Sequence, residues 1–161
     1  KKMWPFLSQE EINRYKEIFQ KVDRENPYPA VPGAIDTVRF LKNHCIPAAL
    51  CTTNDTDELL SKLRLARIDT NLFDFINTNN SGFVKPDPRA LTTITDSLKI
   101  PKENTIFIGD WYPDMDAAKA ADIEFIGVLT GGIPRHAFLR EGIPEDHIID
   151  TLFDIIKIIK P

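Results

Sequence analysis

Cysteine is scarce in this chain. Its 161 residues hold only Cys45 and Cys51, which flank one apolar segment, Cys45-Ile-Pro-Ala-Ala-Leu-Cys51. They read as small buried hydrophobes rather than as a disulfide or a metal pair. An excess of positive charge is missing too: 20 Lys and Arg against 24 Asp and Glu leave a net charge of -4. With no basic block and no polybasic tail, neither nucleic acid nor an anionic membrane surface is an expected partner. No apolar run approaches the roughly 18–20 residues of a membrane span, and no charged-then-apolar leader opens the chain. The expectation is a cytoplasmic protein. Internal repeats and low-complexity tracts are absent, and the sequons Asn54-Asp-Thr56 and Asn79-Asn-Ser81 carry little weight without a secretion signal.

What is present is material for one ordinary domain, with 42% hydrophobic residues. After a capping Ser8, the spacing of Ile12, Tyr15, Ile18, Phe19 and Val22 predicts an amphipathic helix with acidic residues in its first turn. "NPYPAVPG" then sets three prolines in eight residues, which forbids helix and marks a linker. From Gly33 onward helices and strands alternate. Helices are expected at Ala34–Asn43, Asp57–Ala66, Arg89–Leu98 and Pro113–Ala121, and strands at Ile46–Thr53, Phe73–Asn77, Thr105–Gly109 and Glu124–Leu129. "DTLFDIIKIIKP" predicts a final amphipathic helix. Strands that are continuous apolar runs between helices imply an α/β protein, with a Rossmann-like parallel sheet covered by helices on both faces.

Ligands of such sheets bind at the carboxyl ends of the strands. Thr52, Thr53 and Asn54 follow the first strand, Lys85 lies in "VKPDP" beyond the second, and Gly109-Asp110 with Asp114 follow the third. Singly, each has a plain explanation as a helix cap or a solvated loop residue. Together, hydroxyl, amide, ammonium and paired carboxylates are what phosphoryl transfer needs: donors for phosphate oxygens, a cation for developing charge and oxygen ligands for Mg²⁺. Pro113 suits a helix start, so Asp114 falls on a first turn from which its carboxylate can turn back toward Asp110. Asp116 points away around that helix and reads as a solvated first-turn acid.

This arrangement resembles the haloacid dehalogenase superfamily, in particular its phosphoglycolate phosphatase-like members, over about Tyr28 to Ile156. "AALCTTN" matches the second family motif at Thr53, Lys85-Pro-Asp-Pro88 the third, and Gly109, Asp110 and Asp114 the fourth, followed by the Ala-rich "AAKAADI". The resemblance implies that Thr53 and Asn54 bind a phosphate oxygen, that Lys85 neutralises the phosphoryl group, and that Asp110 and Asp114 hold Mg²⁺. Thr53, Lys85 and Asp110 are then the catalytic candidates, and the substrate is a small phosphorylated metabolite. Residues 1–29 would be the remnant of a helical cap with its linker, and residues 30–161 the phosphohydrolase-like core.

One family motif is missing. Asp-x-Asp on a first strand supplies the aspartyl nucleophile in this superfamily, and no strand here carries it. Asp55-Thr-Asp57 has the spacing but opens a helix after the Thr53 strand. The expectation is an Mg²⁺-dependent phosphohydrolase seen as an N-terminally incomplete chain, inactive alone. An upstream segment or a second chain would supply a central strand between Ile46–Thr53 and Thr105–Gly109. The alternatives are a non-catalytic phosphate- and Mg²⁺-binding or regulatory module that has lost its nucleophile, and a fold in which the motifs are caps only.

Overall fold

The computed structural model describes residues 8–26 and 29–159, leaving aside the side chains of residues 16, 20, 23 and 24. Helix α1 (Gln9–Glu25) starts where the sequence expects: the Ser8 hydroxyl accepts from Glu11 N–H, and the Glu11 carboxylate accepts from Ser8 N–H. Its apolar residues Tyr15, Ile18, Phe19 and Val22 are exposed, and the helix touches the rest of the molecule at α3 (Thr56–Leu65). The Pro27 and Tyr28 part of the linker lies outside the described residues.

Helix α2 (Ala34–Asn43) leads to strand β1 (Ala49–Cys51), then α3 and strand β2 (Phe75–Asn77). Helix α4 (Arg89–Leu98), strand β3 (Ile106–Gly109), helix α5 (Tyr112–Ala121) and strand β4 (Glu124–Val128) follow. All strand pairs are parallel, as expected of an α/β fold. Strand β1 covers three of the eight residues expected at Ile46–Thr53, and three further elements differ from expectation. Helix α6 (Arg135–Arg140) and the two-residue strand β5 (Ile148–Ile149) occupy a stretch with no strong periodic signal. The final helix is shorter than its pattern: a 3₁₀ turn at Leu152–Asp154 runs into α7 (Ile155–Ile158). Cys45 is exposed at the end of α2, with a left-handed φ of 55°, and Cys51 is half-buried, so the reading of two buried cysteines fails for the first. Cys45 follows a helix end, where the chain needs a turn more than a packed side chain.

The sheet is in two parts: β1 pairs with β2, and β3, β4 and β5 form a separate three-stranded sheet in that order. In the larger part β4 has a neighbour on each side and buries four of its five residues. Its side chains alternate between two cores, as period 2 requires. Phe125 joins Met115, Ala118, Phe138 and Ile148 on one face, while Ile126 and Val128 join Ile149 and Ile155 on the other. In the smaller part β1 is only half-buried or exposed along its length. Asp74 N–H donates to Ala48 O (2.7 Å) and Thr52 N–H to Asn77 O (2.9 Å), so strand alternation turns the backbone groups of Ala49 and Cys51 away from β2. An apolar cavity of about 490 Å³ separates the two parts, lined by Ala49, Leu50 and Cys51 of β1 and by Ile106, Phe107 and Ile108 of β3. The parts are joined by α4, which packs on β1, β2 and α5, and by Thr37 of α2, whose hydroxyl donates to Leu152 O (2.7 Å). Among the described residues no helix is long and apolar enough to cross a membrane.

Candidate active site at the strand ends

Strand β3 ends at Gly109 and α5 starts two residues beyond Asp110. The turn is closed by Asp114, which is 4% exposed: its Oδ2 accepts from Asp110 N–H (3.1 Å) and Trp111 N–H (3.0 Å). Both amides belong to a helix N-terminus, where donors lack intrahelical partners and the dipole favours a carboxylate. Gly109 is required by this return, because a Cβ there would lie 2.8 Å from Asp114 Oδ2. A Cβ on Gly131, in the loop after β4, would collide with Asp110 Oδ2. The Gly131-Gly132 pair in the exit "GVLTGG" is the sequence signal of this second close approach.

Lys85 connects the two parts of the sheet. Its Nζ lies 2.6 Å from Asp114 Oδ1 and donates to Cys51 O at 3.0 Å, and it sits 5.4 Å from the centroid of the Phe107 ring. With the Lys85 side chain 12% exposed and that of Asp114 6%, this is a shielded ion pair rather than a surface one. The Lys85–Pro86 peptide is cis. Asp110 is half-buried, and burial followed by the charge of Asp114 pushes its carboxyl above the ordinary aspartate range, with its own backbone N–H and Lys85 pulling the other way.

Thr53 and Asn54 follow β1 in the turn before α3. Thr53 is exposed, and its hydroxyl has no hydrogen-bond partner among the described residues. Asn54 is half-buried; its N–H donates to Thr52 Oγ1 (3.2 Å) and its carbonyl accepts from Asn79 N–H (3.0 Å). Both lie within three residues of Cys51, whose carbonyl Lys85 already holds. Asp55 is the N-cap residue of α3 and accepts from Asn79 Nδ2 (2.8 Å), Asp57 lies in that helix's first turn, and Asp116 is exposed on α5. The site thus gathers Lys85, Asp110 and Asp114 directly, with Thr53 and Asn54 at the neighbouring strand end.

The donor set suits a small hard cation. Mg²⁺ takes one or two carboxylates plus waters and substrate oxygens, and here two carboxylates crowd each other. Asp114 spends three of its four acceptor positions on two amides and Lys85, so one remains. Among the described residues no third His, Cys, Asp or Glu joins them.

The chain is also similar to known proteins. Phosphoglycolate phosphatase 1 of Pseudomonas aeruginosa is 31% identical over 128 residues, covering 78% of this chain and 45% of that protein. An uncharacterised hydrolase of Saccharomyces cerevisiae is 28% identical over 130 residues, covering 80% of this chain and 59% of its own length. The chain therefore spans about half the length of these relatives. Among solved structures, CbbY from Rhodobacter sphaeroides in complex with xylulose-(1,5)bisphosphate superposes with a TM-score of 0.72 at 25% identity, over 91% of this chain and 65% of that one. The family model of the haloacid dehalogenase-like hydrolases matches residues 3–128, and with that match the chain belongs to the haloacid dehalogenase-like hydrolase family.

Proposed function

We propose that this chain is an N-terminally incomplete part of an Mg²⁺-dependent phosphohydrolase acting on a small phosphorylated metabolite in the cytoplasm. The observation that carries the reading is Lys85, an almost buried ammonium held between Cys51 O at the end of β1 and Asp114 at the end of β3. A cation at the meeting point of two parallel strand ends, beside two carboxylates, suits phosphate bound against a divalent ion. In this reading Thr53 and Asn54 donate to the phosphate oxygens. Lys85 neutralises the phosphoryl group, and Asp110 and Asp114 hold the metal. Mg²⁺, when bound, supplies Lewis-acid neutralisation of the phosphoryl oxygens. The relatives' names, a phosphoglycolate phosphatase and a protein bound to a sugar bisphosphate, support the substrate class.

The nucleophile is not among these residues. Thr53, Lys85, Asp110 and Asp114 position charge, whereas covalent phosphoryl transfer in this family uses a carboxylate on a strand between those matching β1 and β3. The cavity between β1 and β3 and the outward backbone groups of Ala49 and Cys51 favour a strand there, supplied by an upstream segment or by a second chain. In this reading residues 1–29 are the remnant of the cap and residues 30–161 the core. The same gap also favours the second reading, a non-catalytic phosphate- and Mg²⁺-binding module.

The test is to prepare the chain alone and with an upstream segment bearing an Asp-x-Asp strand, and to assay Mg²⁺-dependent release of phosphate from an aryl phosphate. Turnover is expected only with the added strand. Mg²⁺ binding that persists without turnover in either form would favour the binding module, and binding undiminished in Asp110→Asn would remove the metal site.

A further inference from the structure

We infer that Asn77, the last residue of β2, is the positioning residue that sets Lys85 at the site. An asparagine is out of place at the end of the apolar run Phe73–Asn77: it is depleted from strands, and burying its amide costs free energy unless it is hydrogen-bonded. Yet Asn77 is 2% exposed. Its Nδ2 donates to Phe83 O (3.2 Å) and to Ala90 O (3.1 Å), and lies 3.8 Å from Cys51 Sγ. Two carbonyl partners demand the amide nitrogen, which fixes the orientation of the side chain, and they use both of its N–H groups.

The two carbonyls stand on either side of Lys85. Phe83 is two residues before it and Ala90, the second residue of α4, is five after it. The stretch from Gly82 to Pro88 contains no helix or strand, and its residues are exposed or half-buried. In a loop of that kind, what holds the ends limits how far the tip can move. Asn77 fastens both ends to the same point, at the carboxyl end of β2, beside the Cys51 whose carbonyl receives the Lys85 ammonium (3.0 Å). Ala90 is fully buried, so the α4 end of the loop is fixed by packing; the Phe83 end, nearer to Lys85, is half-buried and held by the Asn77 amide and by its ring against the Arg89 guanidinium (4.1 Å). Replacing the amide by an apolar side chain leaves the loop covalently intact but frees the Phe83 end, and Lys85 with it.

The importance of Asn77 for ligand binding rests on the phosphate-site reading above, but its effect on Lys85 does not. The first measurement therefore needs no ligand: competitive acetylation of the full chain, read lysine by lysine by mass spectrometry, in wild type and Asn77→Leu. Lys85, shielded by Asp114 and Cys51 O, is expected to react at least about tenfold faster in the variant, the change that losing hydrogen bonds of ordinary strength permits. Lys42, paired with Asp74 in the same part of the sheet (2.9 Å), is expected to keep its rate. An unchanged Lys85 overturns the inference. So does a parallel rise at Lys42, which would mean that Asn77 merely holds the fold together.

The second measurement is calorimetric, with Mg²⁺ alone and with inorganic phosphate in the presence of Mg²⁺. Asn77→Leu is expected to lose about tenfold in phosphate affinity while its Mg²⁺ affinity stays within about twofold, since Asp110 and Asp114 are held by the β3–α5 turn. Equal losses for both ligands, or no loss for phosphate, overturn the positioning role. A wild-type protein that binds no phosphate at all would overturn the functional reading, and the acetylation result would still decide whether Asn77 places Lys85.

Discussion

The two parts of the sheet come from similar sequence and end in different states. Strands β3 and β4 and strand β1 are all short apolar runs followed by polar residues. β4, flanked by β3 and β5 and covered on both faces, buries nearly all of its residues; β1, flanked among the described residues by β2 alone, buries none fully. An apolar run becomes a buried strand only where neighbours exist on both edges to satisfy its backbone and cover its faces. The same run at an edge stays short: Ile46–Thr53 has the composition of an eight-residue strand, but ladder geometry persists only over the three residues that β2 matches.

The largest effect should come from damaging the consolidated part. Phe138 of α6 is fully buried, and its ring lies within 6.2 Å of the Phe125 ring and closes over Gly127. Phe138→Ala should cost about 3–5 kcal/mol in chemical denaturation. Leu50→Ala, at a half-buried position of β1, should cost less than about 2 kcal/mol, since little apolar area leaves water there. Equal losses would mean that the two parts are equally packed.

The seam between the parts should respond next. Asp114→Ala leaves Lys85 without its carboxylate and two amides without an acceptor, which should cost about 3 kcal/mol in the same measurement. A loss below about 1 kcal/mol would show that Lys85 is free to reach solvent and that the shielded pair is not what joins β1 to β3.

The base of the smaller part should show a pH signature. Asp74 accepts from Ala48 N–H (3.0 Å) and pairs with Lys42 (2.9 Å), and these two bonds hold its carboxyl below the usual aspartate value. A lowered folded-state pKa means that protons bind the unfolded chain more tightly, so this stabilisation is present above about pH 4 and lost as pH falls through the lower folded value. Asp74→Asn should therefore cost about 1 kcal/mol at pH 7, with the difference from wild type closing on acidification. A pH-independent difference would assign the effect to shape rather than charge. The smallest effect should be that of Asp116→Asn, within about 0.5 kcal/mol, because that carboxylate faces solvent while its neighbour Asp114 closes the turn.

Several features were legible because their causes are local. The Ser8 and Glu11 cap, the helices Ala34–Asn43 and Arg89–Leu98 with their predicted ends, and the return of Asp114 onto Asp110 follow from side chains three or four residues apart. Helix α6 and strand β5 were not legible: six and two residues carry too little periodicity, and their places are set by β4, through Phe138 packed on Phe125 and Gly127 and through the β4–β5 pairing. The exposure of Cys45 was misread because an apolar neighbourhood in sequence does not say which residue ends a helix.

By itself, the sequence determined the parallel α/β class and the positions of Lys85, Asp110 and Asp114 at segment ends. Hydrophobic periodicity and capping act over a few residues, and the chain carries both plainly. The missing Asp-x-Asp strand already placed a gap between β1 and β3; only the tertiary structure decided that Lys85 spans it from Cys51 O to Asp114, and that Asn77 holds the loop from which Lys85 reaches. The Lys85 contacts join residues about thirty positions apart, and whether two such groups meet depends on which strands pair and what packs between them, quantities no short window of sequence contains.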